Sequence, residues 1–169
     1  GLWPFGQNDV TFERVLHAIE RGTLPLVRGG EAVLNTAYAP NFAAGVRLAA
    51  HRPEAAGQVY VLADDGMPTW RELFSELSRH LGKRPPQLSL PGRPTAAVAS
   101  GVEATWSAFF PHVEPPITRY RAGLMSRDVH FSTLHAREEL GHQPKDSWRA
   151  ALRITAEHYA ALAGRRADA

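Results

Sequence analysis

Between residues 24 and 81 short apolar runs alternate with amphipathic stretches, an α/β unit of strand-like and helical pieces around which the rest of the chain is organised. Residues 24–27 and 32–38 read as strand-like runs joined by Arg28, Gly29, Gly30 and Glu31, where glycine supplies the positive φ of a hairpin turn. Pro40 suits the first turn of a helix over 41–50, on which Phe42, Gly45, Val46 and Ala49 form a narrow face for close packing. Residues 58–63 (QVYVLA) are nearly continuously apolar, as a buried strand is, and Asp64, Asp65 and Gly66 turn the chain after them. Thr69 and Glu72 stand three apart ahead of Leu73, Phe74, Leu77 and Leu81. That is a capping box, and Gly82 stops the helix.

The flanks follow the same grammar. Residues 1–9 (GLWPFGQND) read as the end of a strand opening into a loop, with Asp9 or Thr11 placed to cap a helix that buries Phe12, Val15, Leu16 and Ile19 and stops at Gly22. Prolines at 85, 86, 91 and 94 make 83–94 a connector, with room for one extended piece at 87–90. A helix is expected over 95–110, weakened by Gly101, then a loop over 111–116 and a short helix from Thr118. Residues 128–132 (DVHFS) alternate like a strand, and Thr133 caps a helix that ends before Gly141. The last helix begins at Ser147 with Trp148, Leu152, Thr155, Tyr159 and Leu162 on one face, and 164–169 read as a frayed tail. One lobe over 1–163 accounts for the rest.

Composition removes several function classes. There is no cysteine, so disulfides, a thiolate nucleophile and a cysteine zinc site are out. The most apolar stretch, 94–110, is cut by Ser100, Gly101, Glu103 and Ser107, which excludes a membrane span, and no signal peptide is present, so the cytoplasm is the default location. The net charge is only +2 and the basic residues, almost all arginine, are dispersed, so no nucleic-acid footprint forms. His130 and His135 are five apart across an expected strand-to-helix boundary, and Asp64-Asp65-Gly66 lacks the further oxygen donors of a calcium loop, so no metal is expected.

Taken in order, PFGQND, VRGGEAVLNTAYAPN, GQVYVLADDG, MPTWRELFSELSRHLGKRPP, PPITRYRAG and DVHFSTLHAREELGHQP resemble the C-terminal portion of an extended short-chain dehydrogenase/reductase. Within that NAD-dependent epimerase/dehydratase superfamily the resemblance is nearest to the 3β-hydroxysteroid dehydrogenase and sterol-4-carboxylate 3-dehydrogenase group. The closing signature, Phe131-Ser132, Ala136, Glu139-Leu140-Gly141 and Pro144, is its most specific piece. Gln7 and Asn8 stand where the family's aromatic-Gly-Pro-Gly-Asp loop has Pro and Gly, and Ala39-Pro40-Asn41 keeps only the Asn of the usual Val-Asp-Asn.

The resemblance implies the last strands of a Rossmann-type sheet plus a mostly helical substrate lobe, without the N-terminal nucleotide-binding half. It implies a parent that uses NAD or NADP on the hydroxyl of a steroid-like, sterol-like or other lipid-like small molecule, with a homodimer open to the intact parent. Leu2 and Gly6 would lie on the nicotinamide side, and Phe12, Asn35, Trp106, Arg119 and Tyr120 near substrate. By type Trp106 belongs with Phe109 and Phe110 to a core before a pocket, Arg119 also suits a surface or helix-capping role, and Asn35 and Asn41 equally suit backbone capping.

What is absent limits the activity. No Gly-x-Gly turn exists to cradle a pyrophosphate, and Gly1 to Gly6, spaced like part of a P-loop, is followed by Gln7 and Asn8 instead of Lys and Ser or Thr. The residues four beyond Tyr38, Tyr60, Tyr120 and Tyr159 are Phe42, Asp64, Leu124 and Ala163, so no tyrosine has its lysine. Together with a start that lacks Met, this reads as a catalytically silent fragment needing no cofactor of its own. Two alternatives stand: part of a sugar-nucleotide epimerase or dehydratase, and a stand-alone binding module.

Overall fold

The computed structural model describes residues 2–91 and 119–167. In chain order they form β1 (Leu2–Phe5), α1 (Val10–Glu20), β2 (Leu26–Val27), β3 (Asn35–Tyr38), α2 (Ala39–Ala50), α3 (Trp70–His80), β4 (Ser89–Leu90), α4 (Arg119–Met125), α5 (Leu134–Leu140) and α6 (Trp148–Ala167). Short 3₁₀ turns occupy Arg28–Gly30 and Pro53–Ala55. The expected helix over 95–110 and the loop over 111–116 lie outside the described residues. The last helix runs on through Gly164 to Ala167.

The strands pair in parallel across long crossovers: β1 with β3, Leu2 opposite Asn35 and Phe5 opposite Tyr38, and β2 with β4. The hairpin expected between 24–27 and 32–38 does not form. Arg28, Gly29 and Gly30 take positive φ in succession (51°, 68° and 76°), which swings the chain aside instead of reversing it, and each run finds a partner elsewhere. The extended piece expected at 87–90 is that partner for β2, and Leu26 N–H donates to the Leu88 carbonyl at 2.8 Å.

Two other expected strands are only extended. Residues 58–63 make no ladder, and the neighbouring tie is Asp64 N–H to the Thr36 carbonyl at 2.8 Å. Val59 is 83% exposed, so apolar content overstated burial there. Residues 128–132 make one isolated parallel bridge, Val129 to Leu34.

Helix ends follow side-chain chemistry. Asp9 Oδ1 accepts from Thr11 N–H at 2.8 Å, so Asp9 is the cap of α1. The Thr69–Glu72 capping box is made in both directions, at 3.1 and 2.8 Å. At α5 the order is shifted: Thr133 occupies the cap position without capping, and Ser132 Oγ accepts from Leu134 N–H at 3.3 Å.

Rings dominate the core. Trp3 and Phe5 point to one face of the parallel pair and pack with Phe12, Tyr38, Trp70, Phe74, Trp148 and Tyr159, neighbouring rings lying 5.5–6.2 Å apart. The other face is closed over β3, where Asn35 and Ala37 are buried, and open over β1, where Pro4 is exposed. Helix α2 turns Asn41 and Gly45 inward, because Leu62 and His142 fill the space beside Gly45. Phe42 and Val46, expected on the packing face, are 44% and 48% exposed. A smaller cluster joins Leu62 to Ala136 and Leu140.

Gly30 ties α3 to the turn before β3: a Cβ there would stand 2.9 Å from Arg71 N at positive φ. Gly30→Ala is expected to lower stability by about 2–3 kcal/mol, read as the urea midpoint. Gly22→Ala, at similar φ with open space around it, is expected to cost about 1 kcal/mol.

Candidate functional site

In parallel sheets ligands bind outside the carboxyl ends of the strands. Here those ends are Phe5 and Tyr38, opposite each other with rings 5.6 Å apart, and the segments that leave them, 6–9 and 39–41, start side by side. Gly6 is buried, and a Cβ on it would meet the Ala39 Cβ at 3.0 Å. The missing side chain lets the two segments touch. Asn8 adopts φ 65°, which its short side chain tolerates, and aims Asp9 at the start of α1.

Under this rim sits a polar knot. Asp64, 3% exposed, accepts Tyr38 N–H with both oxygens at 3.1 and 2.9 Å and the Asn41 amide at 2.7 Å. Asn41 also donates to the Asp146 carbonyl at 2.8 Å and accepts Lys145 and Asp146 N–H at 3.1 and 3.3 Å. Both donors and both acceptor sites of its amide are in use. His142 lies 3.1 Å from the Asn41 carbonyl through Nε2. The knot therefore joins β3, α2, the 58–64 segment and the approach to α6. Burial, then the charges of Asp146 and Asp64, push the Tyr38 phenol above its ordinary range, so it stays protonated at neutral pH.

The expected site residues are dispersed. Leu2 begins β1 and Gly6 follows its end, so roughly 13 Å of strand separates them. Only Gly6 is at the ligand end. Phe12 has no exposed surface and stacks on Trp3, Phe5 and Tyr159 as a core ring. Asn35, 3% exposed, accepts Phe131 N–H at 2.6 Å and so holds the 128–132 segment. Arg119 opens α4, where Tyr120 is 76% exposed, and Trp106 is outside the described residues. Phe12 and Asn35 thus pack into the fold, and Tyr120 stands exposed on α4.

Sequence reading missed Asp64, taken as a turn residue, and His142 and Asp146. The signal lay in an Asp directly after an apolar run: an acidic residue that ends a buried segment needs donors. Among the described residues no group of three His, Asp or Glu side chains is placed to hold a metal. The described residues also do not fit a dinucleotide's pyrophosphate. Gly6 is spent on Ala39, and the first turn of α1 already has Asp9 as acceptor. Among the described residues the rim assembles no proton-transfer pair and no phosphate cradle, and its chemistry is the positioning of two segments.

Asp64→Ala strands Tyr38 N–H and the Asn41 amide and is expected to lower stability by about 3 kcal/mol in urea unfolding, with Asn41→Ala similar. In the double variant the two losses should fall short of additivity by at least about 1 kcal/mol. Asp65→Ala removes an exposed pair with Arg137 and should cost less than about 1 kcal/mol.

No family model matches the chain. A 4-hydroxy-2-methyl-3-oxo-4-farnesyl-3,4-dihydroquinoline-1-oxide ketoreductase from Stigmatella aurantiaca is 29% identical over 142 residues, 83% of this chain and 42% of that protein. The crystal structure of gox2253 superposes with a TM-score of 0.65 at 24% identity, covering 95% of this chain and 47% of that one. The UDP-glucuronic acid 4-epimerase from Bacillus cereus, in complex with UDP-glucuronic acid and NAD, gives 0.64 at 14% identity over 95% and 45%. The chain spans less than half the length of each. Mostly helical, with short parallel strands, it has the fold of the C-terminal portion of Rossmann-type epimerase and short-chain dehydrogenase proteins.

Proposed function

We propose that the chain is the substrate-side, C-terminal part of an NAD(P)-dependent oxidoreductase that interconverts a carbonyl and a hydroxyl on an apolar, prenyl- or sterol-like small molecule. The observation that carries this reading is the similarity over 142 residues to a ketoreductase whose named substrate bears a farnesyl chain beside a ketone. The fold is compatible with it. A steroid nucleus and a farnesylated ring share what such a lobe must recognise, a bulky hydrocarbon with one reducible oxygen.

In this reading a preceding half supplies the dinucleotide and the acid–base pair, and the described residues supply the rim of Gly6 and Tyr38. Arg119 and Tyr120 on α4 are the substrate-contact candidates, with Trp106 a third. The chain carries no step of the reaction alone, because no proton donor with a lysine partner and no phosphate cradle belongs to it.

The preceding half would join where the structure is open. The outer edge of β1 pairs with no strand among the described residues, Pro4 is uncovered, and Phe42 and Val46 stand out from α2. Parallel sheets are normally covered on both faces, so a third layer is expected there.

Three experiments test the reading. The open reading frame read upstream of Gly1 is expected to encode a glycine-rich βαβ unit and a Tyr-x-x-x-Lys pair; absence of both overturns it. The intact product is expected to oxidise NADH or NADPH with a farnesylated cyclic ketone and not to epimerise UDP-glucose or UDP-glucuronic acid. Turnover of the sugar nucleotides alone would assign it to epimerisation instead. The 169-residue chain by itself is expected to self-associate in light scattering, and Phe42→Glu with Val46→Glu to raise the monomer fraction. A monodisperse wild-type monomer would favour a stand-alone module.

A further inference from the structure

On the flank formed by α5 and the 58–63 segment, three side chains converge without a role in the strand-end rim. His135 and Glu139 stand one turn apart on α5, with His135 Nε2 2.9 Å from Glu139 Oε1. The other ring nitrogen, Nδ1, lies 3.2 Å from the Val59 carbonyl oxygen. Tyr60 donates its hydroxyl to Glu139 Oε2 at 2.8 Å, and its ring packs on His135 with centroids 4.7 Å apart.

Both imidazole nitrogens therefore face oxygen acceptors. A neutral imidazole carries one N–H and can donate to only one of them, leaving a nitrogen lone pair against an oxygen lone pair at the other. The doubly protonated ring donates to both, and its bond to Glu139 becomes charge-assisted. The carboxylate is ready for this. Hydrogen bonds from Tyr60 and then His135 hold Glu139 below the ordinary carboxylate range, so it is ionised wherever histidines titrate.

We propose that His135 is a proton-operated clasp that fastens the 58–63 segment to α5, closed when the ring carries two protons and slack when it carries one. The segment is a suitable target because it forms no strand, and Val59, whose carbonyl the clasp grips, is among its most exposed residues. Its far end is Asp64, so the clasp steadies the approach to the buried knot.

The other charged groups around it hold their partners at any neutral pH. Arg52 donates to the Glu139 carbonyl at 2.6 Å, Arg137 pairs with Asp65, and Glu54 faces the Tyr60 hydroxyl electrostatically. Burial pushes the Tyr60 phenol up, with the Glu139 bond adding to it, so Tyr60 keeps its proton and donates throughout. The competing imidazole is His142, buried and close to Leu62 across Gly45. The test must separate it from His135.

Gln58 N–H, bonded to the Ala55 carbonyl at 3.1 Å, anchors the start of the segment and reports its opening. Its hydrogen-exchange protection in the intact product, corrected for intrinsic rates, is expected to be roughly two- to fivefold higher at pH 5.5 than at pH 7.5. His135→Gln should remove that ratio. Equal protection at the two pH values, or a ratio that survives in His135→Gln, overturns the proposal, the latter by assigning the effect to His142. As a check without mutation, the long-range proton–nitrogen spectrum of the wild-type ring at pH 5.5 should show a His135 Hδ1 slowed in exchange with water; a freely exchanging Hδ1 contradicts it.

Discussion

Asp64 is a carboxylate with almost no exposed surface, and the rest of the structure is arranged to keep it supplied with donors. Its two oxygens take the Tyr38 N–H and the Asn41 amide, and Asn41 hands the connection on to the backbone before α6. A polar side chain out of water is tolerable only when its oxygens have hydrogen-bond partners. That constraint fixes the end of β3, the first turn of α2 and the entry to α6 with respect to each other. The aromatic core then packs against a frame whose polar joints are already determined.

The same frame explains why the strand-end rim is narrow. Gly6 and Ala39 touch because β1 and β3 end in register, and the register is set by Trp3 and Phe5 lying on the ring-lined face with Tyr38. The parallel pair is two short strands whose second face is closed over β3 and open over β1, and the chain spans less than half the length of the ketoreductase and of the two structures it resembles.

Local chemistry was the legible part of the sequence. The capping box at Thr69 and Glu72, the apolar stripe of α1 and the start of α6 are written in neighbours three and four residues apart and form as read, while α6 runs on to Ala167 where a frayed tail was expected from Gly164. Pairing across the chain was not legible. Arg28-Gly29-Gly30 has the composition of a hairpin turn, and only the successive left-handed conformations, imposed by the fit of Gly30 against the backbone at Arg71, decide that it is a swerve. Likewise 58–63 has strand composition, yet β3 meets that stretch only at its end, where Asp64 N–H donates to the Thr36 carbonyl and the Asp64 side chain takes the Tyr38 N–H. The site suffered from the same non-locality: nothing near Asn35 in sequence reveals that Phe131 will occupy its amide oxygen, or near Asp64 that Tyr38 and Asn41 will surround it.

If the Asp64 knot holds the fold together, the Tyr38 amide proton cannot exchange unless the whole domain opens. Native-state hydrogen exchange of Tyr38 N–H across a low-urea series is therefore the most direct measurement. The account predicts that its exchange free energy and urea slope match those of the core amides Leu73 and Leu77. A smaller, urea-independent free energy for Tyr38 would contradict it, because the knot would then open by local fluctuation while the aromatic core stayed closed.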